Sequence, residues 1–344
     1  MAACVGVCQP LAKRGHTITF LINEAFAGQY AKFGFNEILL KETPKPTENG
    51  DKTEAEAKPA EKKNPVKDMA EILKSSGFLG PKSPTEKLRD QVNSPQNFMD
   101  KFFNQMVEYN PQIAKAIKNE RPDFFILDSF LIPPAIHQAG IPFAYLFSPN
   151  PIFLYRSKKL PPFGSGFPTD SDPETWKEYT ELWQLQWKKH FLKYQIDINA
   201  KFNYEPEEKA DPDDIFSFPM SKYLNIYGFP AELDYDDIAP RPKNLVGVDA
   251  FCRELPEPFE VPEKLARKPG EKLIYVSLGS MGSIDVELMK RITSVLAKTP
   301  HKYIVSKGQR GDEYELPENC WGENFLPQTK ILPIVDLVIT HGGK

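Results

Sequence analysis

The sequence predicts an α/β protein built on parallel sheets. Three features point that way. Short apolar runs of strand length, such as Phe124–Leu127, Phe143–Phe147 and Leu273–Leu278, lack the polar alternation of a half-solvated strand. Segments with helical spacing separate those runs. Glycine-bearing bends close several of them. Strands that alternate with helices form crossover units, and crossovers require parallel pairing.

Taken in order, residues 4–14 (CVGVCQPLAKR) predict a helix that has to accommodate Pro10. Gly15 is its C-cap, and Thr17–Ile22 is the first strand. A second strand-like run follows in FGFNEILLKE. Residues 43–68 hold Pro, Lys, Glu and Ala with almost nothing apolar. Burial there cannot offset the ordering entropy, so the segment predicts a disordered surface insertion. Residues 96–118 predict an amphipathic helix interrupted or bent near Pro111. The apolar run ending at Asp128 is a strand covered on both faces. A short helix, a turn at Gly140 and the strand Phe143–Phe147 follow. Residues 148–170 are irregular and rich in proline and aromatics; residues 173–202, with Trp176, Trp183 and Trp187, are helical. YLNIYGF and LVGV add two strands. The Pro-rich, charged stretch 251–272 predicts an interdomain linker between a domain over 1–250 and another over 273–344.

Bulk numbers narrow the function. A chain of 344 residues fits two domains. Its 43 basic and 47 acidic residues give a net charge of −4, which leaves nothing to neutralise a nucleic-acid backbone. No apolar run approaches the ~20 residues of a membrane span, and no signal-peptide pattern opens the chain. Four cysteines in this length make no disulfide framework, which predicts a reducing, cytosolic setting. Cys4 and Cys8 share a helix face. They read as two small buried hydrophobes rather than half a metal site, because no partner follows at ligand spacing.

The second domain carries the chemistry. Leu273–Leu278 runs into Gly279-Ser280-Met281-Gly282-Ser283, and a helix is predicted over Ile284–Lys298 with Ile284, Leu288, Ile292, Val295 and Leu296 on one stripe. A strand, a glycine turn and a helix N-terminus can hold an anion on free N–H groups. The spacing matches neither the P-loop nor G-x-G-x-x-G, and such turns use glycine for geometry as often as for ligands. HKYIVSKG and VDLVITHGG are further strands, with His341 just past the end of the last one. That is the edge at which α/β sheets take ligands. A helix is expected after Gly343. Two glycine bends in one sheet point to a diphosphate.

The stretch NFLPQTKILPIVDLVITHGG resembles the family 1 UDP-glycosyltransferases, the group that includes the UDP-glucuronosyltransferases. In that family a WLPQ box precedes a strand and a THGG turn. Here the matching runs are Phe325-Leu326-Pro327-Gln328 and Thr340-His341-Gly342-Gly343. YGFPAELDY and NLVGV are similar to the close of that family's first domain. The resemblance implies a GT-B fold of two Rossmann-like lobes, an N-terminal acceptor-binding lobe and a C-terminal UDP-sugar-binding lobe that is incomplete here. It implies that Phe325 stacks on uracil in place of the usual Trp, with Gln328 beside the nucleoside. Gly279 and Ser280 would approach the phosphates. His341 would donate to the diphosphate, and Gly342 and Gly343 would open the backbone there. Asp128 would orient a histidine that deprotonates the acceptor hydroxyl. The anomeric carbon is then attacked with inversion and UDP leaves, with no metal and no further cofactor. Structural readings compete: a core aromatic for Phe325, a helix cap for Ser280, an N-cap or salt-bridge partner for Asp128.

The family's histidine lies just before the first helix, which starts here at about Cys4. His16 matches a structural histidine of the family, and His137 and His190 fall in helical segments without motif support. The expectation is a chain clipped at both ends, lacking the histidine partner of Asp128, and inactive as a fragment. The expected partners are a UDP-sugar, carrying a hexose or hexuronic acid, and a small lipophilic acceptor such as a phenol or terpenoid. The acceptor would be lined by 148–170 and 176–187. The chain as written is expected to be cytoplasmic, or held at the endoplasmic reticulum membrane if the ends carry a leader and an anchor. Two other functions compete: a non-catalytic module that binds UDP or the acceptor, and a UDP-sugar epimerase.

Overall fold

A computed structural model describes residues 2–43, 80–94, 99–129, 131–155, 157–207, 220–255 and 258–342. The disordered insertion expected over 43–68 therefore lies outside the described residues from position 44 onward. The chain divides into two compact units, the first ending at Phe251 and the second running from Cys252.

In the first unit, α1 (Ala2–Lys13) starts earlier than its apolar pattern suggests and carries Pro10 inside. It buries Val5 and Cys8 against Ile22, Tyr30 and Phe35. Gly15, at φ +92°, reverses the chain, a conformation that suits a residue without Cβ. β1 (Thr19–Asn23) and β2 (Asn36–Leu40) pair in parallel with Thr19 opposite Asn36. Their connection is pinned by Glu37, whose carboxylate accepts N–H bonds from Gly28, Tyr30 and Ala31 at 2.6–2.9 Å. Those bonds, led by Gly28, hold its carboxyl below the usual carboxylate range.

α2 (Pro84–Asn93) opens with a capping box between Ser83 and Glu86. α3 (Met99–Glu120) runs through Pro111 without the expected interruption. Met106 and Asn110 before it and Ile113 and Ala116 after it are all buried, so packing on both sides outweighs the lost N–H bond. β3 (Phe125–Leu127), β4 (Phe143–Phe147), β5 (Leu224–Gly228) and β6 (Leu245–Val248) form a parallel sheet in that order. α4 (Pro134–Gln138) connects β3 to β4, and Asn110 ties it to α3 by accepting from the Ala135 N–H at 2.9 Å. Burial on both faces holds for β4, whose five residues are all buried. It fails for β3, where only Leu127 is buried.

The helical stretch after that is α5 (Lys177–Gln186), a π-helical turn (Trp187–Leu192) and α6 (Lys193–Lys201). Trp176 and Trp187 are 5% and 2% exposed, so they serve as core rather than as a ligand surface. Beyond β5, Asp234 accepts from the hydroxyls of Tyr155 and Tyr227 and pairs with Arg241 at 3.1 Å. That network fixes the YGFPAELDY segment.

The second unit comprises β7 (Leu273–Ser277), α7 (Gly279–Gly282), α8 (Val286–Leu296), β8 (Lys302–Ser306), β9 (Cys320–Glu323), α9 (Gln328–Ile331) and β10 (Leu337–Thr340). Its strands are parallel in the order β10-β7-β8-β9. The sequence pattern did not reveal β9. Gly322 there lies so close to β8 that a Cβ would stand 1.8 Å from the Val305 carbonyl oxygen. The buried stripe of α8 is Val286, Met289, Thr293 and Leu296. Val295, expected on that stripe, is 55% exposed, and Ile284 is buried ahead of the helix. Leu265 joins Leu273, Tyr275, Ile304 and Ile331 in a core cluster, so the later part of the 251–272 stretch folds with this unit.

Candidate functional site

All four strands of the second sheet are parallel, so their C-terminal ends share one edge. The chain steps from β7 to β8 to β9 on one side, then returns to place β10 on the other side of β7. Strand order therefore reverses between β7 and β10, the position at which open α/β sheets form a crevice for ligands.

Gly279 and His341 flank this reversal. Register pairs Thr340 with Ser277, which brings the two bends side by side. Gly279 has φ +66°, and a Cβ on it would stand 2.9 Å from His341 Cε1. Only glycine fits so close to the imidazole. Gly342 has φ +77° with open space around it, and Ser280, His341 and Gly342 are all exposed. Gly343 lies outside the described residues.

The bend after β7 is a single helical turn rather than an irregular loop. Its Gly279 carbonyl accepts from Ser283 Oγ at 2.6 Å. Ser280 lies within the turn, and Leu278 holds the N-cap position without a side-chain bond, so Ser280 is not a cap. The longer helix begins at Val286, and Asp285 accepts from the Leu288 N–H at 3.0 Å. This corrects the expected anion site. A carboxylate of the chain itself caps α8, so the backbone donors beside His341 are those of the α7 turn.

Phe325 lies two residues beyond β9 and is 70% exposed, which sets aside the core-aromatic reading. Its neighbour Leu326 anchors the segment in the core with Ile331. Gln328 opens α9 with an exposed side chain. β9 and β10 are the two outer strands of the sheet. Phe325 and His341 thus stand near opposite ends of one edge, three strand spacings or roughly 14 Å apart.

The edge also uses residues that sequence reasoning passed over. A Cβ on Gly308 would fall 1.9 Å from Ser283 Oγ, and one on Gly311 would fall 2.0 Å from Asn324 Oδ1. The loop after β8 is thereby pressed against both neighbouring loops. The spaced glycines of SKGQRGDE, directly after a strand, were the available signal.

In the first unit Asp128 follows β3 directly and is exposed. Its Oδ2 accepts from Cys4 Sγ at 3.2 Å, so the first turn of α1 meets the end of β3. Burial, then the Asp128 charge, push the Cys4 thiol far above its ordinary range, and it stays protonated at neutral pH. Asp128 caps no helix and pairs with no cation among the described residues. No histidine contacts it there. His137 stacks on Tyr204 with centroids 4.8 Å apart, His190 is buried in the π turn, and His301 accepts from the Lys272 N–H. Among the described residues no cluster of side chains could hold a metal ion, and no helix is long and apolar enough to cross a membrane.

No protein-family model matches the chain, and no curated protein matches its sequence. Solved structures do. The glycosyltransferase of kitacinnamycin aligns with TM-score 0.56 and 18% identity, over 99% of this chain and 72% of that one. SnogD, a glycosyltransferase from Streptomyces nogalater, gives 0.54 and 14%, over 100% and 73%. SsfS6 from Streptomyces sp. SF2575, complexed with thymidine diphosphate, gives 0.52 and 13%, over 99% and 72%. At these identities the likeness is one of fold: the chain has the α/β architecture of the GT-B glycosyltransferases.

Proposed function

We propose that the protein is a glycosyltransferase that moves a hexose or hexuronic acid from a UDP-sugar to a hydroxyl of a small lipophilic acceptor, with inversion. One observation carries this reading: in a GT-B fold, the bends at Gly279 and His341 lie side by side where strand order reverses, so close that a Cβ on Gly279 would stand 2.9 Å from the imidazole. A diphosphate there would accept from the imidazole and from the α7 backbone. The opening at Gly342 admits its oxygens without a Cβ in the way. The charge that develops on departing UDP would be met by these fixed donors. Phe325 offers an exposed ring to the uracil at the far end of the same edge, with Gln328 beside it.

In the first unit Asp128 stands where the resembling family orients the histidine that removes the acceptor proton, and no histidine among the described residues contacts it. The Cys4 thiol cannot take that role, because its surroundings keep it protonated. The resemblance of the FLPQ and THGG runs to the UDP-dependent family favours UDP as the nucleotide.

The test is calorimetric titration with UDP on the intact chain and on His341→Ala. Loss of one hydrogen bond to a charged group predicts about tenfold weaker binding, near 1.4 kcal/mol. Failure of UDP to bind, or equal affinity in the variant, overturns the reading. Sugar interconversion without an acceptor would make the protein an epimerase instead.

A further inference from the structure

From Lys177 to Lys201 the chain stays helical through α5, the π-helical turn and α6. Its inner side packs on the first unit, where Tyr179, Gln186, Trp187, His190, Ile198 and Asn199 are buried. Between positions 181 and 200 the exposed residues recur every three or four, at Glu181, Leu185, Lys189, Lys193, Ile196 and Ala200. That period is the helical one, so the stretch turns a single face outward along its length.

Two features of this face fit a lipid surface. The first is apolar. Leu185 and Ile196 are each 55% exposed. One open aliphatic side chain is ordinary on a protein surface. Here two of them bracket Lys189 and Lys193 on one face. Helices that lie on membranes combine these residue types, because a lysine stem can stay at the acyl boundary while its ammonium reaches the phosphates.

The second is charge. Between positions 184 and 202, Lys188, Lys189, Lys193 and Lys201 stand against Asp197 alone, a net charge of +3 in a chain whose net charge is −4. Lys193 pairs with Asp197. Lys189 Nζ donates to the Val92 carbonyl at 3.0 Å, which holds the ammonium without neutralising it. An anionic surface complements this excess. A nucleic acid would use the lysines and leave Leu185 and Ile196 in water, whereas a lipid surface uses both kinds of side chain.

We propose that this face rests on a membrane that contains anionic lipid, with Leu185 and Ile196 entering the headgroup boundary and Lys189 and Lys193 on the lipid phosphates. The stretch lies along the surface and does not cross it, in keeping with the absence of a spanning helix among the described residues. The proposal is independent of the transferase reading.

Vesicles of phosphatidylcholine, alone or mixed with phosphatidylserine, are sedimented with the intact chain. A lysine near an anionic surface is worth about fivefold in affinity, so the mixed vesicles should bind at least fivefold tighter. At about 1 M salt, where the screening length is ~3 Å, that preference should vanish. Leu185→Gln combined with Ile196→Gln should weaken binding to the mixed vesicles about tenfold. Lys189→Gln combined with Lys193→Gln should bring the two kinds of vesicle within about twofold of each other. All four positions are exposed and glutamine is a good helix former, so the variants should keep the parent's circular dichroism. Val295, equally exposed on α8 of the second unit, is the control, and Val295→Gln should bind as the parent does. No binding to mixed vesicles, or equal weakening by Val295→Gln, overturns the proposal. If the Leu185 and Ile196 variant binds both vesicles and single-stranded DNA as tightly as the parent, the lysines serve a polyanion and the lipid surface falls.

Discussion

Cys4 and Cys252 place one kind of side chain in opposite surroundings. Cys4 is partly covered and bonded to Asp128, whereas Cys252 is exposed. Alkylation needs the thiolate, and both burial and the neighbouring carboxylate hold the Cys4 proton in place. A brief iodoacetamide pulse at pH 8 should label Cys252 and spare Cys4, read by mass spectrometry of the peptides. Asp128→Asn, which removes the carboxylate's charge and leaves the burial, should raise Cys4 labelling without making it complete. Equal labelling of both thiols in the unmodified chain would show that the Cys4–Asp128 contact does not form. At this scale the sequence showed what spacing alone can show. The glycines and His341 were visible as bends at strand ends, but their contact depends on the Thr340–Ser277 register, which joins distant segments. Cys4 read as a small hydrophobe because its partner lies 124 positions away. The exposure of Phe325 was hidden for a similar reason: a Phe-Leu pair does not say which of the two faces the core, and here Leu326 does.

Elements were legible where burial is complete and opaque where it is partial. β4 and β7 are buried at every position, so their apolar runs are unbroken. β9 is Cys-Trp-Gly-Glu with only its first residue buried, and its glycine answers to the adjoining strand rather than to any pattern of its own. The π-helical turn could not be read either, since one extra residue in a helix follows from packing on both flanks. That turn draws polar groups inward. Gln186 and His190 are 2% and 6% exposed, and Gln186 Oε1 and both His190 ring nitrogens lack a hydrogen-bond partner among the described residues. Burial, with Lys189 adding to it, lowers the His190 pKa. The unfolded chain then binds the proton that the native state refuses, so stability rises with pH and is lost as pH falls below about 6.5. The slope from this one group is at most about 1.4 kcal/mol per pH unit. His190→Leu removes the unpartnered ring and should stabilise the protein by about 1 kcal/mol at pH 7, and by more at pH 5. Urea unfolding at the two pH values measures both. A variant less stable at both would mean that the ring is satisfied by a bond formed in solution.

Along the chain, the first compact unit ends at Phe251 and the second runs from Cys252, at the start of the Pro-rich, charged stretch 251–272. What composition could not show is that Leu265 from the same stretch is buried with the second unit. Each unit has its own apolar clusters and its own share of the residues proposed to act on the two substrates. Gly279, Phe325 and His341 belong to the second unit, and Asp128 belongs to the first. Two ligands should therefore leave two separate footprints. In hydrogen–deuterium exchange on the intact chain, UDP alone should protect amides in 278–284 and 340–342, where donors would close on the diphosphate. A small phenolic acceptor alone should protect amides of the first unit only. Protection tracks local opening, and a bound ligand suppresses openings of the segment that it holds. If UDP protects only first-unit amides, the pyrophosphate does not sit at the reversal of strand order, and the roles given to Gly279 and His341 fall together. If each footprint stays within its own unit, the chemistry is divided as the fold divides the chain: nucleotide at the β7–β10 edge, acceptor beside Asp128.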